Sequence, residues 1–392
     1  MTDRTVVVTA LGVLSPLGRG PEATYDAALA GRSGITRQPD GGLAARVCGP
    51  DEPAPVRDSD GRPLRGRATA LAVTAGRDAL RDVEPGSVDL VVGTTMGEPS
   101  WIDTWPDHEA AQVPVPAARA RELLAGTPEA LAASVASELG VGGRVAAVGG
   151  ACAAGNFALA RALDVVRSGR SPRVLAGGVD AFSRTALTGF ARLGALAADG
   201  CRPFGLDRQG LVLGEGAAFL LVESLASARA RGAEPLAELA GAGLSCDAHH
   251  PTSPHPEGAG AARAVRAALA DAGLAPDDVG WVSAHGTGTP ANDRAEVLAL
   301  RAVFTGHQPP ASSVKSLSGH GLGAASAIEA VLAVQALRSG CLPPTWHVGE
   351  QDPDCAWDVL TDGPRPLTRD VVLNQAYAFG GCNAVTVLRR AS

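Results

Sequence analysis

The chain has 392 residues, 45% of them hydrophobic and 19% charged, enough for one large α/β unit or two core-bearing halves. Its net charge of −7 argues against a nucleic-acid binder, so any basic docking patch is local. No apolar run reads as a membrane span. Seven scattered cysteines (48, 152, 201, 246, 341, 355 and 382) without a CxxC point to reduced thiols, a cytoplasmic compartment and no cysteine-based zinc site.

In chain order, VVVTALGV reads as a buried first strand ending at Ser15-Pro16, with no leader-like pattern before it. Residues 68–97 then give an Ala-rich helix, a strand and a Gly/Thr turn. Residues 98–127, with Pro and two Trp, read as an insertion over the site or at a subunit contact. Residues 145–169 give a strand, a small-residue turn with Cys152, and a helix ending Arg167-Ser168-Gly169. The two patterns recur. Residues 260–288 repeat the first, with Val279, Trp281 and Val282 matching Val88, Leu90 and Val91. Residues 311–340 repeat the second, with Lys315 and His320 in the turn and a helix ending Arg338-Ser339-Gly340. A duplicated α/β fold follows, its halves meeting near residues 235–245, and βα alternation predicts largely parallel sheets.

The repeat places Cys152, His285, Lys315 and His320 in turns after strands, where parallel α/β sheets bind ligands. Cys152 lies in GGACAAGN at the head of a helix. There small residues permit a tight turn with an exposed sulfur, and the helix N-terminus is expected to lower the thiol pKa. Cys48, Cys201, Cys246, Cys341 and Cys355 read as small hydrophobes. His285, in SAHGTGTP, stands beside glycines that allow close approach and the hydroxyls of Thr287 and Thr289. Lys315 is the only lysine in the chain, which elsewhere uses arginine throughout. An ammonium is a compact point charge where a guanidinium is a planar fork, so this position reads as a confined site. Zinc on Cys152, His285 and His320 would lack a fourth ligand and face the lysine's repulsion. A Lys315 Schiff base would lack the Asp/Arg partners and phosphate cup of a pyridoxal phosphate site.

TVVVTALGVLSPLG, AALAGRSGI, the ACAAG turn, CRPFGLDRQGLVLGEGA, SAHGTGTPANDRAE, VKSLSGHGLGAA and NQAYAFGGCNAV follow one another over nearly the whole chain. Together they resemble the β-ketoacyl-acyl carrier protein synthases of the elongating type, condensing enzymes of the thiolase fold. The resemblance implies a five-layered αβαβα fold of two pseudo-symmetric halves, residues 1–240 carrying Cys152 and residues 241–392 carrying His285, Lys315 and His320. It implies Cys152 as the nucleophile that takes an acyl group. His285 and His320 would bind the malonyl thioester and stabilise the enolate formed as carbon dioxide leaves. Lys315 would favour neutral imidazoles, paired with Glu296. The backbone N–H groups of Cys152 and Phe379 would form an oxyanion hole. Phe379 would gate the acyl and malonyl sites, Met96 the acyl tail, and Thr287 and Thr289 would hold the pantetheine arm. No cofactor or metal is implied beyond the phosphopantetheine that carries the substrates. An acyl carrier protein is the implied partner, with RPLRGR (62–67) a candidate docking run, and the implied assembly is a homodimer or a ketosynthase-like heterodimer. Neither nucleic acid nor membrane is implied.

The match departs from the family at several places. Gly150, Ala153 and Ala154 replace expected hydroxyl residues, Gly205 replaces the Asp of RPFD, and the stretch before Cys152 is shortened. These departures suggest specialised, polyketide-like biosynthesis. Two other readings stand beside the decarboxylating ketosynthase. One is an acyltransferase that makes a C–O or C–N bond with the same cysteine. The other is a non-catalytic ketosynthase-like partner subunit, against which the retained Cys152, histidines and Lys315 argue. FGGCN argues against a thiolase, and two histidines argue against the Cys-His-Asn initiating synthases.

Overall fold

The computed structural model describes residues 5–53, 66–103 and 124–391. Most of the expected insertion and of the RPLRGR run therefore lies outside the described residues.

Ten strands carry the fold. In the first half these are β1 (Val6–Ser15), β2 (Asp89–Gly93), β3 (Val145–Val148), β4 (Arg173–Asp180) and β5 (Gly216–Ser224). In the second they are β6 (Ala237–Cys246), β7 (Trp281–Ser283), β8 (Ala311–Ser312), β9 (Val371–Ala378) and β10 (Cys382–Arg389). Their order is β8-β7-β9-β10-β6-β1-β5-β4-β2-β3. Read outward from the centre, each half runs first, fifth, fourth, second, third strand. The first two joints in each half are antiparallel and the last two parallel. The repeat read in the sequence is thus matched in topology. The expectation of largely parallel sheets is corrected, because parallel pairing is confined to the outer strands. β9 and β10 are joined by a three-residue turn, which permits only an antiparallel hairpin.

The strands of the two halves pair with each other through two residue pairs of β1 and β6, Val7↔Glu238 and Val8↔Ala237. The space between them is filled by two helices, α3 (Ala154–Arg167) and α6 (Ala325–Ser339), which pack on each other and on strands of both halves. Outside the first half lie α1 (Arg67–Ala79) and α2 (Pro128–Leu139); outside the second lie α4 (Ala259–Ala272) and α5 (Pro290–Val303). The layers are therefore αβαβα. Glycine sets the crossing of the central pair, since a Cβ on Gly155 would meet Ser326 Oγ at 2.7 Å and Ala327 N at 2.8 Å. Beside it a buried amide knot joins the halves. Asn156 Nδ2 donates to Asn374 O (2.9 Å), and Asn374 Nδ2 donates to Asn156 Oδ1 and Ser326 O (2.8 Å each). Leaving either amide unpaired here would cost about 1–3 kcal/mol.

Every residue of α6 from Ala325 to Leu337 is buried. A helix covered on all sides is apolar on all sides. This explains why Leu322–Ser339 is long and apolar enough to cross a bilayer, a run the sequence reading did not single out. It is 89% buried inside the protein, so the core accounts for its composition. One acid interrupts it, Glu329.

Candidate active site

Both halves deliver residues to one cavity of about 320 Å³, lined by Cys152, His285, Thr287, Thr289, His320 and Phe379 among others. Cys152 follows β3, His285 follows β7, and Lys315 and His320 follow β8.

Cys152 sits in a 3₁₀ turn, Ala151–Ala153, that runs into α3. Ala151 adopts φ +45°, a left-handed conformation that costs a non-glycine residue energy and persists only where its surroundings enforce it. The expected exposed, low-pKa thiol is corrected on both counts. Cys152 is only 6% exposed, and burial, followed by the nearby Asp180 carboxylate, pushes its thiol up to about 12 against the opposing charge of Lys315. At rest this sulfur is a thiol, so it needs a base when it attacks.

The two imidazoles are buried, with ring centroids 5.3 Å apart and planes at 82°. Each is held by its backbone. His285 N donates to Glu296 Oε1 (2.7 Å), and His320 N donates to Val212 O (2.7 Å). Burial first, and the charge of Lys315 second, lower both ring pKa values well below the usual histidine value. Both rings are therefore neutral at pH 7. Their Nδ1 atoms are buried without a hydrogen-bond partner.

Lys315 is fully buried, and its Nζ donates to His285 O at 2.7 Å and to a carboxylate. That carboxylate is Glu329 on α6, not Glu296. Glu296 instead accepts from the backbone N–H of His285 (2.7 Å) and Gly286 (2.8 Å), one bond to each oxygen. Its work is to fix the His285 turn. Burial pushes both carboxyls up to about 7, Lys315 opposing this at each. Asp293 does the same for the next turn, accepting from Thr287 N (3.1 Å), Gly288 N (3.2 Å) and Phe204 N (2.8 Å). The Thr287 and Thr289 hydroxyls lie 2.8 Å apart on the cavity wall.

Two models of known families match the chain: "Beta-ketoacyl synthase, N-terminal domain" over residues 66–228 and "Beta-ketoacyl synthase, C-terminal domain" over residues 236–349. The chain is 39% identical over 402 residues to nodulation protein E of Rhizobium sp. (strain N33), covering 99% of this chain and 100% of that one. It is 34% identical over 410 residues to 3-oxoacyl-[acyl-carrier-protein] synthase 2 of Staphylococcus aureus (strain N315), covering 99% of each. Among solved structures, the ishigamide ketosynthase/chain length factor superposes with a TM-score of 0.90 at 38% identity over the full length of both chains. The chain belongs to the β-ketoacyl synthase family.

As a β-ketoacyl synthase it is an acyltransferase-type condensing enzyme with the thiolase-like fold of its relatives. Phe379 lies at the cavity mouth, 37% exposed, its ring 5.6 Å from that of Phe190. Met96 does not line the cavity; it packs, half-buried, in the small apolar cluster that holds Cys152, Leu211, Leu213 and Leu322.

The sequence reading missed Glu329, Asp293 and Asp180. Asp180 ends β4, fully buried, and its carboxylate accepts four bonds: from Thr94 Oγ1, Thr95 N and Met96 N (2.9 Å each) and from Gly323 N (2.7 Å). It thereby ties the Met96 turn of one half to the Leu322–Gly323 turn of the other, where Leu322 is held at φ +51°. The signal was present, since a single acid closes a run of six uncharged apolar and glycine residues in RVLAGGVD, just as one acid interrupts the apolar α6.

Proposed function

We propose that this β-ketoacyl synthase catalyses decarboxylative Claisen condensation between an acyl group on Cys152 and a malonyl group carried on an acyl carrier protein. The observation that carries this reading is the pair of buried, neutral imidazoles at the cavity beside the buried thiol.

Cys152 Sγ attacks the acyl thioester, and the proton it loses leaves on the carrier thiol. The incoming malonyl thioester then places its carbonyl oxygen against the histidine rings. A neutral imidazole carries one N–H, and turned toward the cavity that N–H is a hydrogen-bond donor. Such donors, on rings that are themselves buried, stabilise the enolate oxygen as the carboxylate leaves as carbon dioxide. Burial, with the Lys315 charge second, keeps them neutral and so able to act as neutral donors to a developing oxyanion. The enolate carbon attacks the acyl-Cys152 carbonyl, with the N–H groups of Cys152 and Phe379 as the oxyanion hole. Collapse expels the sulfur as a thiolate, which takes up one proton from solvent, the proton the overall reaction consumes, and returns to the thiol. Thr287 and Thr289 hold the pantetheine arm along the wall, Phe379 gates the two sites, and Met96, packed beside Cys152, bounds the acyl tail.

Identities of 39% and 38% to a nodulation protein and an ishigamide ketosynthase, against 34% to a 3-oxoacyl synthase, support a specialised, polyketide-like product. The partner is an acyl carrier protein, the substrates ride on its phosphopantetheine, and no other cofactor is needed. A second ketosynthase-like chain or a second copy completes the enzyme. The described cysteines are all free thiols, in keeping with the cytoplasm.

The test is intact-protein mass spectrometry of wild type and Cys152→Ala after incubation with acyl-loaded and malonyl-loaded carrier protein. An acyl adduct on wild type alone, followed by a carrier-bound 3-ketoacyl product, is expected. An adduct without malonyl consumption would favour the C–O or C–N acyltransferase. No adduct from any donor would favour the non-catalytic partner subunit.

A further inference from the structure

Two cysteines outside the catalytic set face each other at the base of the β9–β10 turn. Cys382 opens β10 and Cys246 closes β6, and they are direct partners in the antiparallel register. One step along the same pairing, Asp247 N donates to Gly381 O at 2.9 Å. Hydrogen-bonded and non-hydrogen-bonded pairs alternate in an antiparallel ladder, so 246/382 is a non-hydrogen-bonded pair. Such pairs hold their Cα atoms about 4.5 Å apart with side chains on one face, inside the range of about 4.4–6.8 Å that a disulfide spans. Both are free thiols, Cys246 exposed and Cys382 half-buried.

The pair is wired to the cavity mouth. Cys382 directly follows the Phe379–Gly381 turn, and Cys246 Sγ donates to Gly380 O at 3.5 Å. Their chain neighbours Asp247 and Asn383 line the cavity and bond each other at 2.8 Å.

We propose that Cys246 and Cys382 form a dithiol modification site, oxidised by a low-molecular-weight disulfide to a cross-strand disulfide that fixes the turn carrying Phe379. The exposed Cys246 sulfur attacks the reagent, forming a mixed disulfide and releasing one small thiol. Cys382 sulfur then attacks Cys246 Sγ and releases the second. The cysteine pair gives up two electrons and two protons, and the reagent leaves as two thiols. The cross-link removes the Cys246 donor from Gly380 and restrains the hinge of the aromatic gate. The dithiol site stands without the proposed function; its effect on turnover rests on that reading of Phe379.

The experiment treats the full chain with glutathione disulfide and maps peptides without reduction. Wild type and Cys152→Ala are expected to yield a Cys246–Cys382 cross-linked peptide. Cys246→Ser and Cys382→Ser are expected to retain a glutathione adduct on the remaining cysteine. Turnover of wild type is lost and returns on reduction, while both serine variants stay active through the treatment. Separate adducts on Cys246 and Cys382 in wild type, or no oxidation at either, would overturn the site. A cross-link without loss of turnover would overturn its control of the gate. An untreated enzyme without ketoacyl product would fail the proposed function while leaving the cross-link readout intact.

Discussion

Lys315→Met removes the buried charge at nearly constant volume and so tests the electrostatic role of the lysine. The variant leaves Glu329 without its cation, and breaking a buried ion pair by deleting one partner costs about 3–5 kcal/mol. For 392 residues, an unfolding entropy of about 2.1 cal/mol/K per residue gives about 0.8 kcal/mol/K, so the melting temperature falls by about 4–6 °C. The deficit depends on pH, with a definite sign. Glu329 is pushed by burial from 4.5 to about 7 even beside Lys315, and goes higher without it. A carboxyl raised in the folded state costs nothing below its unfolded value and subtracts stability as pH climbs toward the folded one. The melting deficit is therefore largest at pH 8 and shrinks toward pH 5, where Glu329 is neutral in both proteins. Loss of the Lys315 charge also raises the pKa of His285 and His320, so the acid limb of condensation moves to higher pH. Calorimetry at the two pH values and a pH–rate profile check both. An equal melting deficit at pH 5 and pH 8, together with an unmoved acid limb, would refute the electrostatic reasoning.

Lys315→Arg is expected to fold and to lose most condensation, because a planar fork does not fit a fully buried site; steady-state turnover checks this. His285→Ala and His320→Ala should each lower malonyl decarboxylation by about 10²–10⁴-fold, read as carbon dioxide release. Asp180→Asn leaves one acceptor oxygen for four donors, at a cost of about 1–3 kcal/mol. It should also alter the chain-length profile of Cys152 acylation through Met96, which competition between acyl donors would show. Phe379→Ala removes a ring that is 37% exposed and paired with Phe190, so stability should fall by about 0.5–1.5 kcal/mol while turnover changes.

The duplicated helix–strand patterns were legible because apolar runs ending in Gly-rich turns record local geometry directly, and Cys152, His285, Lys315 and His320 emerged from those turns. The antiparallel centre was not legible, because strand direction depends on which strands meet across long separations. The partner of Lys315 was misassigned for a similar reason. Glu296, in NDRAE, is the partner the family resemblance implies, but its oxygens accept from the local backbone. Glu329 reaches Lys315 only because α6 crosses the centre of the molecule. The thiol of Cys152 was read from its helix N-terminus alone, whereas its environment also includes Asp180, brought in from β4, and near-complete burial.

The central claim is carbon–carbon bond formation driven by decarboxylation, and a single-turnover experiment tests it most directly. Enzyme acylated on Cys152 is mixed with malonyl-carrier protein, and carbon dioxide is counted against carrier-bound product. The account predicts one carbon dioxide released for each 3-ketoacyl group formed, with Cys152 returned to the free thiol. Acyl loss from Cys152 to a hydroxyl or amine, with no carbon dioxide released, would contradict it.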